Sequence, residues 1–223
     1  MKSAATIRPM GNQRSESSAT DTASAITAEK RALRIRMRAL RDAIPPEQRA
    51  ALSARICERA IASPAYQSAR LIHCFLSIRS EIETRSLIEH ALAHGKRVAA
   101  PLFVKGSSET AAFEIEALND DHYETDSFGL AVPRSPRLID LRTIDVFFVP
   151  LLAFAPVPCS GDQEGAASEV KFSRLGYGIA YYDRLLVQQP RTPRIGLAFE
   201  VQRLKALPVD AKDQLLDCVL TEQ

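Results

Sequence analysis

The chain has 223 residues and a formal net charge of +2, from 29 Lys and Arg against 27 Asp and Glu. This length predicts one domain with a substantial core, and the near-neutral total argues against a protein held on nucleic acid by bulk electrostatics. No run of about 18 apolar residues is present, so the sequence predicts no transmembrane helix and no membrane partner.

Residues 1–27 are rich in Ser, Ala and Thr and show no apolar periodicity, which predicts a disordered N-terminal tail. Thr27 is then the expected N-cap of the first helix, and residues 28–223 the folded domain. The tail has no apolar stretch typical of a secretory signal. The four cysteines show no paired zinc spacing, so we expect free thiols in a cytoplasmic protein.

The first predicted helix carries two distinct faces. Its apolar stripe is formed by Leu33, Met37, Leu40 and Ile44. From Lys30 to Arg41 it also carries six cations and no acid. Lys30 and Arg34 lie one turn apart, which allows a phosphate clamp, whereas the alternative is a solvated helix face. A nucleic-acid interface is a third interpretation, but no aromatic residue interleaves the cations.

The rest of the chain alternates apolar runs of strand length with helical segments. Strands are expected at residues 71–76, 98–103, 113–115, 144–149, 195–199 and 218–221. Further helices are expected between Pro46 and Pro64, at 84–94 before Gly95, and at 179–188. Residues 155–173 resemble an inserted, mobile loop. The pattern predicts a single α/β domain with a layered, open, largely parallel sheet flanked by helices, in the Rossmann-like class.

A glycine-containing segment at residues 174–184 precedes the last predicted helix. Gly176 and Gly178 allow backbone N–H groups to approach a phosphate, and the helix N-terminus adds positive potential. Arg174 supplies charge, and Asp183 is a candidate ligand for Mg²⁺. The segment is not a Walker A loop, and it lacks the third glycine of a dinucleotide fingerprint. The alternative is a glycine turn that leads into an aromatic core helix.

Residues 75–84 follow the first predicted strand, where open α/β sheets place ligand-binding loops. Glu81 or Glu83 is suited to accept hydrogen bonds from a ligand's N–H groups. The alternative for one of the two is that it only caps the helix that follows.

Together these motifs resemble the 5-formyltetrahydrofolate cyclo-ligase family, also called 5,10-methenyltetrahydrofolate synthetases. The resemblance runs from about Lys30 to Thr221. It rests on Lys-x-x-x-Arg at 30–34, Glu-Ile-Glu-Thr at 81–84, Val149-Pro150 before Phe154, Arg-Leu-Gly-x-Gly and Tyr-Tyr-Asp-Arg within 174–184, residues 195–199, Gln202, Leu207-Pro208 and Asp213.

The resemblance implies an ATP- and Mg²⁺-dependent conversion of 5-formyltetrahydrofolate to 5,10-methenyltetrahydrofolate. The formyl oxygen takes the γ-phosphoryl group, N10 of the folate attacks the activated carbon, and ADP and phosphate are released. We expect a monomer with small-molecule substrates and no nucleic-acid partner.

The resemblance also implies roles for residues. At the ATP site it places Lys30, Arg31, Ala32, Leu33, Arg34, Arg174, Leu175, Gly176, Tyr177, Gly178, Ile179, Ala180, Tyr181 and Tyr182. At the folate site it places Leu76, Glu81, Tyr177, Gly178, Ile179, Ala180 and Tyr181. Arg174 and Tyr182 are the candidate catalytic residues, and Asp183 and Asp213 the candidate Mg²⁺ ligands.

Three features depart from the family pattern. Ala180 stands where a third glycine is expected, and Ala155 stands where an Asp is expected. If position 180 needs a positive φ, an alanine there costs about 1–2 kcal/mol. The third feature is the insertion at 155–173, which enters the ATP loop from its N-terminal side. The departures leave a second hypothesis open, a catalytically weakened homologue that acts as a folate- or nucleotide-binding module.

Overall fold

The computed structural model describes residues 14–103, 109–118, 123–125, 131–157 and 170–223, with side chains from residue 24 onward. The helices in these ranges are α1 (Arg14–Asp42), α2 (Pro46–Ala62), α3 (Pro64–Ser68), α4 (Arg85–Ala93) and α5 (Tyr181–Val187). The strands are β1 (Leu71–Cys74), β2 (Arg97–Leu102), β3 (Ala111–Ile115), β4 (Tyr123–Thr125), β5 (Ala131–Pro133), β6 (Val146–Pro150), β7 (Ala153–Val157), β8 (Lys171–Leu175), β9 (Arg194–Leu197) and β10 (Cys218–Leu220).

The central sheet has six strands in the order β10-β9-β6-β1-β2-β3. All neighbouring pairs are parallel except β2 with β3, which is antiparallel. β1 pairs with β6 through His73 opposite Phe147, and β6 pairs with β9 through Phe148 opposite Ile195. The predicted open, largely parallel sheet flanked by helices is therefore confirmed.

Most of the core lies in two layers, one on each face of the sheet, and a smaller cluster around Met37 of α1 contains Leu152, Ala153 and Leu175. Successive side chains of a strand point to opposite faces, so Phe148 packs with Ile56 and Ile88 of α2 and α4, and Phe147 with Leu185 of α5. All five side chains are fully buried. Burial of a large apolar side chain contributes about 1.5–3 kcal/mol, so these two layers fix the sheet between its helices.

Helix α1 begins at Arg14, so the expectation that Thr27 caps it is wrong. No Gly or Pro interrupts residues 14–42, and extension of an existing helix costs little because each added residue gains a backbone hydrogen bond. Residues 14–27 of the expected tail thus form the N-terminal part of α1. Residues 1–13 lie outside the described residues. Among the described helices, including this one of 29 residues, none is both long and apolar enough to cross a membrane.

The ends of the expected loop at 155–173 form a hairpin instead of irregular chain. β7 pairs antiparallel with β8, with Ala155 opposite Ser173 and Val157 opposite Lys171. The Ser173 hydroxyl donates a hydrogen bond of 3.1 Å to the Ala155 carbonyl. Ala155 is fully buried, which suits a small apolar side chain. The central part of the expected insertion, 158–169, lies outside the described residues.

We expect Gly196→Ala to destabilise the protein. A Cβ at this position of β9 would lie 2.7 Å from Cδ1 of Leu216 and 2.8 Å from Cδ2 of Leu151. Overpacking of a core typically costs about 1–3 kcal/mol, so urea titration should show a loss of that size with an unchanged m-value. An unfolding midpoint equal to that of the wild type would contradict the packing described.

Candidate active site

A cleft of about 460 Å³ opens at the carboxyl ends of the parallel strands, where open α/β sheets bind ligands. Three strands deliver residues to it, through Phe75 after β1, Phe103 after β2 and Pro150 at the end of β6. The other walls are α1, the segment at residues 76–81 that follows β1, the glycine segment at residues 174–183, and a segment near the C-terminus, residues 210–213. The volume suits a small-molecule site.

Lys30 joins two walls of this cleft. Its Nζ donates hydrogen bonds of 2.7 Å to Oδ2 of Asp210 and 2.5 Å to Oδ2 of Asp213. Burial by itself lowers the pKa of Lys30, but the hydrogen bonds and charges of the two carboxylates outweigh it and raise the pKa. Lys30 is therefore a fixed positive charge that ties α1 to the C-terminal segment.

Two arginine side chains pack against the backbone of the glycine segment, at Gly176 and at Gly178. Nε of Arg34 donates a 2.9 Å hydrogen bond to the Gly176 carbonyl. Gly178 has a φ of +99°, and a Cβ there would lie 3.3 Å from Cζ of Arg34. A Cβ on Gly176 would lie 2.7 Å from Nη1 of Arg174. Both glycines therefore let arginine side chains approach the backbone closely.

Arg174 and Asp183 form an ion pair at the base of the glycine segment. Nη2 of Arg174 lies 2.7 Å from Oδ1 of Asp183, and the arginine side chain is only 5% exposed. The same Oδ1 accepts a 3.2 Å hydrogen bond from the Gln214 N–H. The Arg174 guanidinium also lies 5.7 Å from the centre of the Tyr182 ring. Arg174 therefore contacts both Tyr182, the other candidate catalytic residue, and Asp183, a candidate metal ligand.

Ala180 adopts the left-handed backbone conformation, with φ +52° and ψ 20°. It is the N-cap residue of α5. The position therefore has the positive φ that a glycine adopts freely, and an L-residue there costs about 1–2 kcal/mol.

Glu81 rather than Glu83 faces the cleft. Its Oε2 accepts a 3.0 Å hydrogen bond from the Ile78 N–H, and the residue is buried. Burial raises the pKa of Glu81, although Tyr177, the Ile78 N–H and two nearby arginines act in the opposite direction. Glu83 is exposed and lies 3.8 Å from Nε of Arg49. A buried acceptor on the cleft wall suits recognition of ligand N–H groups.

The structure brings most of the expected site residues to one cleft. Lys30, Arg34, Leu76, Glu81, residues 174–183 and Asp213 all line it. Arg31 and Ala32 are exposed, Leu33 packs against the cluster around Met37, and none of the three is among the lining residues. Their place at the ATP site stays a prediction.

Sequence reasoning missed several lining residues, namely Thr27, Arg79, Phe103, Asp210 and Lys212. Asp210 had a usable signal in the sequence, because the Asp-x-x-Asp spacing places it near Asp213, which was already a candidate. The others become neighbours of the site only through the fold.

Mg²⁺ is compatible with the carboxylates of the cleft. Asp183 and Asp213 both line it, and each is held by a basic side chain, Arg174 or Lys30. No group of three metal-ligating side chains is present among the described residues. Mg²⁺ is usually held by one or two carboxylates together with water and substrate phosphates, so two aspartates in one cleft fit the protein's share of such a site.

Comparison with known proteins gives a consistent result. A sequence model of the 5-formyltetrahydrofolate cyclo-ligase family matches residues 26–222. The chain is 30% identical over 192 residues to the 5-formyltetrahydrofolate cyclo-ligase of Escherichia coli K12, across 83% of this chain and 96% of that protein. It is 28% identical over 208 residues to the mouse enzyme, across 88% and 95%. The fold resembles the 5,10-methenyltetrahydrofolate synthetase of Aquifex aeolicus, with a TM-score of 0.69 at 23% identity across 87% of this chain and 90% of that one.

We expect Ala180→Gly to stabilise the protein by up to about 1 kcal/mol. Relief of the positive φ is worth about 1–2 kcal/mol, and the greater freedom of glycine in the unfolded chain offsets part of it. The free energy of unfolding from urea titration measures the change.

The matched control is Ala51→Gly on the exposed face of α2, where the same substitution should destabilise by about 1 kcal/mol. A loss of stability of the same size at both positions would show that Ala180 is not strained.

Proposed function

The chain belongs to the 5-formyltetrahydrofolate cyclo-ligase family, and we propose that it converts 5-formyltetrahydrofolate to 5,10-methenyltetrahydrofolate while ATP is cleaved to ADP and phosphate. The observation that carries the proposal is the composition of the cleft of about 460 Å³. The cleft joins a glycine segment flanked by Lys30, Arg34 and Arg174 to an apolar wall with a buried acceptor, Glu81.

The reaction needs activation of a poor leaving group. The oxygen of the formyl amide attacks the γ-phosphorus of ATP, and ADP leaves. The lone pair of N10 then attacks the formyl carbon, phosphate departs with the former formyl oxygen, and N10 loses its proton. Among the described residues that line the cleft there is no Ser, Cys or His, which suits a mechanism in which the protein positions the substrates and neutralises charge.

The basic side chains of the cleft are the proposed phosphate ligands. Lys30 and Arg174 each form ion pairs with aspartates, and Arg34 donates a hydrogen bond to a backbone carbonyl. Because these partners fix the cations before ATP arrives, little side-chain freedom is lost on binding. The backbone of residues 176–180 and the N-terminus of α5 complete the site. Tyr182, beside Arg174, supports the orientation of that guanidinium.

Asp183 and Asp213 are the proposed ligands of Mg²⁺. The bound ion supplies neutralisation of the charge on the nucleotide phosphates. Leu76, Glu81 and residues 177–181 are the proposed contacts of the folate. A cytoplasmic location, a monomeric state and the absence of a nucleic-acid partner stay predictions.

One observation favours a second candidate function. The left-handed backbone at Ala180 places a methyl group and local strain in the glycine segment. A catalytically weakened homologue that still binds folate or nucleotide is therefore the alternative.

We expect purified protein with 5-formyltetrahydrofolate, Mg²⁺ and ATP to form the methenyl chromophore, followed by near-ultraviolet absorbance. Omission of ATP should abolish the signal, because the formyl oxygen is then not activated. Arg174→Met should reduce it by at least about a hundredfold, in line with the loss of a buried charge-assisted contact. Intact binding of both substrates with no product at high protein concentration would favour the binding module.

We expect Lys30→Met to raise the KM for ATP by about 10- to 100-fold and to leave the KM for the folate within about twofold. Hydrogen bonds to charged groups contribute about 1.5–3 kcal/mol, which corresponds to that range. The matched control is Lys205→Met, an exposed lysine that does not line the cleft. Equal weakening of both substrates would mean that Lys30 serves only to hold α1 in place.

A further inference from the structure

Arg41 is a buried cation close to the cleft but not part of its lining. It lies on α1 and is 2% exposed. A charge buried to this degree is costly unless its hydrogen-bonding groups are occupied, so its partners are informative. These partners lie on two different walls of the cleft, the segment that carries Glu81 and the glycine segment.

The first contact of Arg41 is with the wall that carries Leu76 and Glu81. Its Nε donates a 3.1 Å hydrogen bond to Oγ of Ser80, whose hydroxyl in turn donates to Oδ1 of Asp42. Ser80 directly precedes Glu81 and follows Arg79, which has a φ of +54°. A non-glycine residue persists in this conformation only when its surroundings hold it. The hydrogen bond from Arg41 to the neighbouring Ser80 is part of these surroundings.

The second contact of Arg41 is with the glycine segment. Its Cζ lies 5.7 Å from the centre of the Tyr177 ring, and Cζ of Arg38 lies 5.8 Å from the same ring. A buried cation–π contact contributes about 2 kcal/mol. Burial and the nearby Glu81 carboxylate raise the pKa of Tyr177. Tyr177 is therefore fixed between Gly176 and Gly178 by two arginines of α1.

We propose that Arg41 is a positioning residue that sets the placement of the glycine segment relative to the segment that carries Glu81. The inference rests on the proposed function for the identity of the two ligands. Transfer of the γ-phosphoryl group requires the formyl oxygen within about 3–3.5 Å of the phosphorus, and a misplacement of about 1 Å costs about a hundredfold in rate. Each segment keeps its own ligand contacts without Arg41, but their alignment is lost.

The experiment compares Arg41→Lys and Arg41→Met with the same substitutions at Arg36, an exposed arginine of the same helix. We expect kcat to fall by about 10- to 100-fold in both Arg41 variants, with each KM within about threefold of the wild type. Arg41→Lys should not rescue the rate, because an ammonium group lacks the planar guanidinium that reaches Ser80 and Tyr177 together. The Arg36 variants should match the wild type.

Two further measurements distinguish the proposed positioning role of Arg41 from a purely structural one. Calorimetric titration with ADP counts binding-competent molecules, and its stoichiometry should stay at one per chain while kcat falls. The second is the pH dependence of 5-formyltetrahydrofolate binding. Arg41 from α1, Arg79 from its own segment and Tyr177 from the glycine segment all lower the pKa of Glu81. Binding weakens at low pH as Glu81 becomes protonated, and this fall is the acid limb of the binding profile. Without the charge of Arg41 the pKa of Glu81 rises, so Arg41→Met should move the acid limb to higher pH.

Each outcome decides the proposal. Wild-type rates for Arg41→Lys, or a fall in stoichiometry that accounts for the whole fall in kcat, would overturn it. If Arg41→Met does not fold, Ser80→Ala removes the hydrogen bond with the charge retained, and it should lower kcat several-fold without moving the acid limb. If the wild-type protein shows no turnover, the proposed function fails, whereas an unshifted acid limb in Arg41→Met would refute the role of Arg41 separately.

Discussion

The cleft depends on the contact of Lys30 with Asp210 and Asp213. These residues lie at opposite ends of the folded chain, and their hydrogen bonds hold α1 against the C-terminal segment. Arg34 and Arg41 add two further contacts of the same helix, with the Gly176 carbonyl and the Tyr177 ring. Because desolvation offsets much of the Coulombic gain of a partly buried ion pair, its net contribution to stability is small. Its larger contribution is that it fixes a lysine ammonium group in the wall of the cleft.

Three cations of the cleft have partners within the protein. Lys30 and Arg174 face aspartates, and Arg34 faces a backbone carbonyl. The near-neutral total charge of the chain therefore conceals a concentrated but balanced charge at one site. Such an arrangement favours an anionic ligand that exchanges partners with the carboxylates, and it keeps the arginines and the lysine in place for phosphates.

The sequence predicted features that depend on neighbours along the chain. Apolar runs such as 144–149 predicted the buried strands. Gly176 and Gly178 before a helix, and Lys30 and Arg34 one turn apart, predicted residues that line the cleft. Features that depend on tertiary contacts were not predictable in the same way. Six cations of α1 look alike in the sequence, and only the packed structure shows that Arg41 is buried while Arg36 is exposed.

The same limit explains the errors at element boundaries. α1 begins at Arg14 because nothing in residues 14–27 breaks a helix, although their composition is typical of a tail. The hairpin of β7 and β8 depends on pairing between Ala155 and Ser173, which no local pattern encodes. The left-handed backbone at Ala180 was only a conditional expectation, since alanine does not by itself favour that conformation.

The path of the formyl oxygen tests the central claim, that the cleft aligns ATP with the folate for phosphoryl transfer. 5-Formyltetrahydrofolate labelled with ¹⁸O in its formyl group is converted with unlabelled ATP, and the released phosphate is analysed by mass spectrometry. The account predicts one ¹⁸O atom in each phosphate and none in ADP, with no label acquired when unlabelled substrate reacts in H₂¹⁸O. Unlabelled phosphate from the labelled substrate would contradict it.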